Sequence, residues 1–250
     1  MENINRFSSR VENYIKYRPH YPQAVIDSLV HEYGFQPHSV VADIGSGTGI
    51  FSELLLDNGF TVLGVEPNNA MRTASVNLLG SKPGFKAVAG SAAETNLADN
   101  SVDFIVCAQA FHWFKDTAVK REFKRILRAG GKVVVLWNER QVETRFEQKY
   151  DALIQQHAAD VDSVNHALID YDSLRAFFAP KVCIFNSFDN QQEFDYEGLL
   201  GRLLSSSYMP NYGEAGYAAL VDDVKELFDS FQEDGKIKLR YKVNTYVTSV

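Results

Sequence analysis

The chain of 250 residues is 45% hydrophobic and 23% charged, the balance of a globular protein long enough to bury most of the surface that its unfolded form exposes. A formal net charge of -7 repels a phosphate backbone, no basic stripe interrupts the acidic balance, and no apolar run approaches the roughly 18 residues that cross a bilayer, so nucleic-acid and membrane partners are disfavoured. Cys107 and Cys183 sit in apolar strand-like runs without metal-ligand spacing, and polar Met1–Arg10 lacks the core of a secretion signal, so the expected compartment is reducing, the cytoplasm by default.

In chain order, Tyr17-Arg18-Pro19-His20-Tyr21-Pro22 is too punctuated by proline for a helix interior. A helix is predicted from near Pro22 to Tyr33, with Val25, Ile26, Leu29 and Val30 on one face and Gly34 as its cap. Val40–Ile44 is the first strand, followed by a glycine-rich turn and a helix over Ile50–Leu56. Asn58-Gly59 turns the chain into a second strand, Phe60–Val65, ending at Glu66-Pro67. Asn68–Leu79 reads as a helix, Phe85–Ala89 and Val102–Ala108 as strands, Lys115–Leu127 as a helix, and Lys132–Trp137 as a fifth strand after a turn at Gly130-Gly131. Strands alternating with helices predict a parallel sheet covered on both faces. In the last third, Val142–Ala159, Ser173–Phe178, Tyr196–Ser207 and Gly216–Phe231 are predicted helical, Val182–Phe185 a strand, and Ile237–Val250 a terminal strand of mixed exposure. No repeat or Gly/Ser linker divides the chain.

The chemistry starts at Asp43-Ile44-Gly45-Ser46-Gly47-Thr48-Gly49. Glycines between a strand end and a helix start let backbone approach a ligand, where unpaired N–H groups are expected to point outward. The third glycine follows after one residue rather than two, and Asp43 stands two residues before the first. A pyrophosphate tolerates no such carboxylate, whereas a cofactor with an amino-acid head and a sulfonium welcomes one. Glu66, seventeen positions beyond Gly49, has the spacing of a carboxylate that accepts both ribose hydroxyls, and its charge disfavours a 2′-phosphate.

Gln109-Ala110-Phe111-His112-Trp113-Phe114 follows the fourth strand at the carboxyl edge, where ligands of open α/β sheets bind. Its rings either enclose a sulfonium methyl and shape a substrate pocket or pack the next helix. His112 is the one side chain here able to take a proton near neutral pH, a candidate general base needed only if the acceptor is a hydroxyl or an amine. Tyr14, Tyr17, Arg18 and Tyr21 form a candidate lid, with the planar fork of Arg18 suited to a carboxylate of cofactor or substrate. Tyr208, Met209 and Tyr212 are candidates for the other side of the pocket. The six histidines are scattered without metal-ligand spacing, so no metal is expected.

The runs Val41–Gly49, Gly64-Val65-Glu66-Pro67, Ser101-Val102-Asp103-Phe104 and Leu127-Arg128-Ala129-Gly130-Gly131 together resemble a class I S-adenosylmethionine-dependent methyltransferase, strongly from Val40 to about Asn138. Tyr17–Pro22, Ala108–Phe114 and Ser205-Ser206-Ser207-Tyr208 resemble its small-molecule branch, the methyltransferase type 11 group that includes trans-aconitate methyltransferase-like proteins. With the elements above, the resemblance implies an α/β fold: a doubly wound, mostly parallel, seven-stranded Rossmann-like sheet with a helical lid from the N-terminus and the C-terminal third. One domain is expected over residues 1–250, with 1–35 as N-terminal lid, 36–140 as cofactor-binding core and 141–250 as helical cap insertions and terminal strands.

The resemblance implies S-adenosyl-L-methionine as cofactor. Asp43, Gly45, Ser46 and Gly47 would line its methionine and ribose portions, with Arg18 on a carboxylate, Glu66 on the ribose, Pro67 and Met71 against the adenine, and Gln109 and Ala110 beside them. Many members have an acidic residue before an Ala-Glu pair where this chain has Ala92, so adenine recognition falls to backbone around Ala92 and Ala93, helped by Ser91. Tyr14, Tyr17, Tyr21, Phe111, His112, Trp113 and Tyr208 are the expected substrate-side residues. The expected function is in-line methyl transfer to a small-molecule acceptor. The alternatives are an NAD-dependent oxidoreductase, disfavoured by the glycine spacing, and a non-catalytic cofactor-binding regulatory module.

Overall fold

In β1 (Val40–Ile44), Val41 joins a core layer with Val25, Leu29, Phe51 and Leu55, while Ala42 and Ile44 join the opposite layer with Phe123 and Ile126. A strand apolar on both faces belongs in the interior of a covered sheet. The computed structural model describes residues 11–114, 116–159 and 171–250, and the expectations at Met1–Arg10 and Lys115 lie outside the described residues.

The elements run α1 (Val11–Tyr17), α2 (Gln23–Tyr33), β1, α3 (Ile50–Asp57), β2 (Thr61–Val65), α4 (Asn69–Leu79), β3 (Phe85–Val88), β4 (Val102–Ala108), α5 (Thr117–Ile126), β5 (Leu127–Arg140), α6 (Arg145–His157), α7 (Tyr171–Phe178), β6 (Ile184–Phe194), α8 (Tyr196–Leu204), α9 (Tyr217–Phe231) and β7 (Ile237–Thr248). The sheet order is β3-β2-β1-β4-β5-β7-β6, parallel except for β7, which is antiparallel to both neighbours. This is the seven-stranded, doubly wound α/β sheet. Asp43 is in register with Gly64 of β2 and Val106 of β4, so the loops after these strands meet where the strand order reverses. A third apolar cluster, with Tyr150, Ile154, Leu199, Leu203, Val224 and Leu239, packs α6, α8 and α9 over the ends of β6 and β7.

Of the following four elements, β5 and β6 differ from expectation. Val11–Tyr17 forms a helix, α1, whose Tyr17 ring lies so close to Gly201 of α8 that a Cβ there would overlap it. Gly130-Gly131 is a bulge inside β5 rather than a turn before it: Val102 pairs with Leu127 and Phe104 already with Lys132. β6 extends through polar Asn186–Glu193 because β7 pairs with it residue by residue from Ile184 to Phe194. β7 is of mixed exposure over residues 237–242, as expected, but is buried throughout residues 243–248, where it lies between β5 and β6.

Candidate active site

Gly45 has φ 74°, and a Cβ on it would lie 2.7 Å from that of Ala110, so glycine is what lets the loops after β1 and β4 touch. The N–H groups of Gly45 and Ser46 donate to the Val65 carbonyl at 2.9 and 3.2 Å, that of Gly49 to the Ser46 carbonyl at 2.9 Å, and that of Gly47 to Glu66 Oε2 at 2.9 Å. The outward-pointing donors expected of this loop are therefore spent within the protein at these four positions. The loop supplies close approach rather than a phosphate nest, which sets it apart from a pyrophosphate site.

Glu66 organises the next layer. Its Oε1 accepts the Asn68 N–H at 2.7 Å, and Asn68 caps α4 by accepting from Met71 N–H at 3.0 Å. Burial raises the Glu66 pKa, opposed by the N–H groups of Asn68 and Gly47. Each carboxylate oxygen keeps further acceptor capacity, so two adjacent hydroxyls can still be bound.

Two adjoining cavities open along this edge. The first, of about 410 Å³, has Gly45, Gly47 and Glu66 on one side and Pro67 and Met71 on the next. Ser91, Ala92, Ala93 and Ala110 line it further along, all at positions named from sequence. Asn68, Phe114, Asp116 and Val119 also line it, and Trp113, expected at the acceptor, lies here instead. The second cavity, of about 460 Å³, is walled by Asp43, Ser46 and Thr48 near the loop, by Arg18, Tyr21 and Tyr208, and by Trp137 and Glu139 of β5. Tyr14, Gly45, Ala108 and Gln109 line both.

The second cavity collects partnerless polar atoms. Arg18 Nε, Asp43 Oδ1, Ser46 Oγ, Thr48 Oγ1 and Trp137 Nε1 are all buried without a hydrogen-bond partner, and all five residues line it. Buried polar groups left unpaired are costly, so this wall is built to meet a polar ligand. Asp43 Oδ2 accepts the Ser52 hydroxyl at 2.6 Å; burial pushes the Asp43 carboxyl up to about 7, partly opposed by Ser52 and reinforced by Glu66. A cationic ammonium beside Oδ1 would offset that cost. The donor set thus fits a cofactor with a ribose diol at Glu66 and an amino-acid head at Asp43, Ser46 and Thr48.

Three expected residues line neither cavity. Tyr17 packs on Gly201, Phe111 stacks on Phe178 at 5.4 Å and meets Phe177 edge-on at 5.1 Å, and His112 rests against Trp113 at 4.6 Å. Arg18, expected on the cofactor side, lines the second cavity only. Met209 is buried in the cap core, and Tyr212 is 88% exposed. Sequence reasoning missed Arg140, Asp151, Arg202 and Tyr241, which also line the second cavity. Arg202 left a signal: it interrupts the apolar run Leu199, Leu200, Leu203 of α8.

Residues 42–135, from β1 into β5, match a family model described as a methyltransferase domain. These residues carry a methyltransferase domain, and the chain is similar to the class I S-adenosylmethionine-dependent methyltransferases. This methyltransferase is 24% identical to an uncharacterised methyltransferase-like protein of Schizosaccharomyces pombe, over 97% of this chain and 94% of that one. It is 37% identical to an uncharacterised methyltransferase of Mycobacterium tuberculosis over 54% of this chain, and spans about half (52%) of that relative's length. Its fold matches a structure described as a candidate type II methyltransferase from Anaeromyxobacter dehalogenans, with a TM-score of 0.66, 19% identity and coverage of 93% and 97% of the two chains. A Haemonchus contortus phosphoethanolamine N-methyltransferase, solved with phosphomonomethylethanolamine and S-adenosylhomocysteine, matches with a TM-score of 0.53 and 13% identity over 99% of this chain and 58% of the other. The cofactor of the methyltransferase is S-adenosylmethionine. No described helix is long and apolar enough to cross a membrane.

Proposed function

We propose that this methyltransferase acts on a small molecule held in the 460 Å³ cavity beside the amino-acid end of the cofactor, by in-line displacement near the junction with the cleft lined by Glu66, Pro67 and Met71. The observation that carries the reading is the shared wall: Tyr14, Gly45, Ala108 and Gln109 line both spaces. S-adenosylmethionine supplies a methyl group already activated on a sulfonium. Glu66 holds the ribose diol, Asp43 and the hydroxyls of Ser46 and Thr48 hold the amino-acid end, and Pro67, Met71 and Trp113 enclose the adenine. Tyr14 and Gln109 then orient the acceptor against the methyl. Fixing the two reactants in near-attack geometry is worth up to about 7–11 kcal/mol, enough to carry such a reaction without a proton-transfer group. The placement of His112 outside both cavities supports a mechanism without a general base there.

The test has two stages. Calorimetric titration with S-adenosylhomocysteine and with NAD is expected to give heat with the first alone. Turnover of radiolabelled S-adenosylmethionine against a panel of metabolites is expected to label a low-molecular-weight product. Tight binding of the cofactor product with no small molecule labelled, but a protein or RNA labelled instead, would overturn the acceptor class.

A further inference from the structure

Two arginines from opposite ends of the chain converge on Ser205. Arg18 Nη2 donates to the Ser205 carbonyl at 3.0 Å, and Arg202 Nη1 reaches the Ser205 and Ser206 hydroxyls at 3.4 Å each. Both line the 460 Å³ cavity, and neither has a carboxylate partner among the described ion pairs. Arg18 lies over the Tyr14 ring at 4.8 Å, its Nε unpartnered, and Arg202 Nε approaches the Tyr241 hydroxyl at 3.4 Å.

The acids of this cavity pair with neither arginine. Asp151 pairs with Arg140 at 2.5 Å, Glu139 accepts from the Tyr171 hydroxyl at 2.9 Å and Asn244 Nδ2 at 2.8 Å, and Asp43 accepts from Ser52. Burial, and after it the charge of Arg202, lowers the Arg18 pKa from its usual value. Burial works to raise the Tyr208 pKa, yet Ser206 and then the charges of Arg18 and Arg202 bring it below the usual tyrosine value. Two buried guanidinium groups with no carboxylate paired to either lose hydration without a direct partner, a cost that a bound anion offsets.

We propose that the acceptor is a small organic oxyanion, a carboxylate or a phosphate ester, whose charged group sits between Arg18 and Arg202. The proposal rests on the small-molecule reading above and names the chemical class that reading leaves open. The two guanidinium forks give paired N–H donors matched to two oxygens of one group. The hydroxyls of Tyr208 and Tyr241 close the same region. Such an anchor fixes one end of the acceptor while the atom to be methylated faces the junction at Tyr14 and Gln109.

The experiment uses the whole chain saturated with S-adenosylhomocysteine. Succinate is compared with succinamide, and glycerol 3-phosphate with glycerol, by calorimetry and by melting shift. An anion of at least one pair is expected to bind about tenfold or more tightly than its neutral counterpart; which pair shows it tells carboxylate from phosphate. Arg202→Gln is expected to abolish that preference while leaving S-adenosylhomocysteine affinity within about twofold. Equal binding within both pairs overturns the proposal on the unaltered protein, whatever the variant does. Displacement of S-adenosylhomocysteine by the anions also overturns it, because the arginines would then serve the carboxylate of the cofactor. Failure of S-adenosylhomocysteine itself to bind strikes the functional reading instead, and is visible before any anion is added.

Discussion

The Gly47 N–H donates to Glu66 Oε2 at 2.9 Å, tying the loop after β1 to the end of β2 through a carboxylate 19 residues further along the chain. One side chain thereby shapes the cofactor loop, starts α4 through the Asn68 N–H and faces the cleft.

Glu66→Ala is therefore expected to remove more than a ribose contact, since two N–H groups lose their acceptor as well. Hydrogen bonds to a charged group are worth about 1.5–3 kcal/mol each, so S-adenosylhomocysteine affinity should fall about a hundredfold by calorimetry. Glu66→Gln keeps one acceptor oxygen and should fall less. Wild-type affinity in Glu66→Ala would show that the diol is held elsewhere.

Asp43 is expected to make cofactor binding proton-linked. Its carboxyl titrates at about 7 in the folded protein against 3.8 ordinarily, so between those values the folded state holds a proton that the unfolded chain has released. The stability of the unliganded protein should then fall as pH rises from about 4 to about 7, by roughly 4 kcal/mol at most for a shift of about three units. A cationic ligand beside Asp43 favours the ionised form, so binding near pH 6 should release protons. Calorimetry in buffers of different ionisation enthalpy measures that release, and Asp43→Asn should abolish it.

Two other acids act in the opposite sense. The Arg125 side chain holds Glu122 at about 2 despite burial, with Thr95 assisting; the Arg240 side chain does the same for Glu147, assisted by the Thr144 and Glu143 backbone. A depressed pKa contributes stability that is present above about 4.5 and lost as pH falls towards 2. The melting temperature should drop steeply below pH 4, and Glu147→Gln, which weakens the pairing with Arg240 Nε at 2.8 Å, should flatten the drop. An unchanged acid limb in Glu147→Gln would exclude this source.

The seat of Tyr17 on Gly201 can be tested as a pair. Gly201→Ala forces a methyl into the ring, a crowding that costs about 1–3 kcal/mol in a packed interior. Tyr17→Ala should lower stability by itself, yet make Gly201→Ala almost neutral in the double variant. Additive losses in denaturant melts would mean that the two positions do not touch.

The cofactor half was legible from local pattern. Val40–Ile44 and Val102–Ala108 read as strands to the residue because a buried parallel strand must be apolar on both faces, and Glu66 follows from its distance to the glycine loop. The direction of the loop's N–H groups was not legible, because whether Gly47 faces a ligand or Glu66 depends on how β1 and β2 are aligned. The 3₁₀ turn Phe111–Trp113 misled for a similar reason: adjacent aromatic residues in a tight turn point in different directions, so Trp113 reaches the cleft while Phe111 joins the core with Phe177 and Phe178.

What the sequence by itself determined is the layered sheet and the set of residues that line the cleft at Glu66, both products of short-range spacing: apolar alternation, glycines at strand ends, and an acid at a set distance. What only the tertiary structure decided is the 460 Å³ cavity proposed for the acceptor. Arg18 and Arg202 are 184 positions apart and meet at Ser205 because β7 inserts between β5 and β6, and α1 docks on α8 through Tyr17 and Gly201. No periodicity encodes such a meeting, because it depends on the packing of elements that carry no mutual signal along the chain.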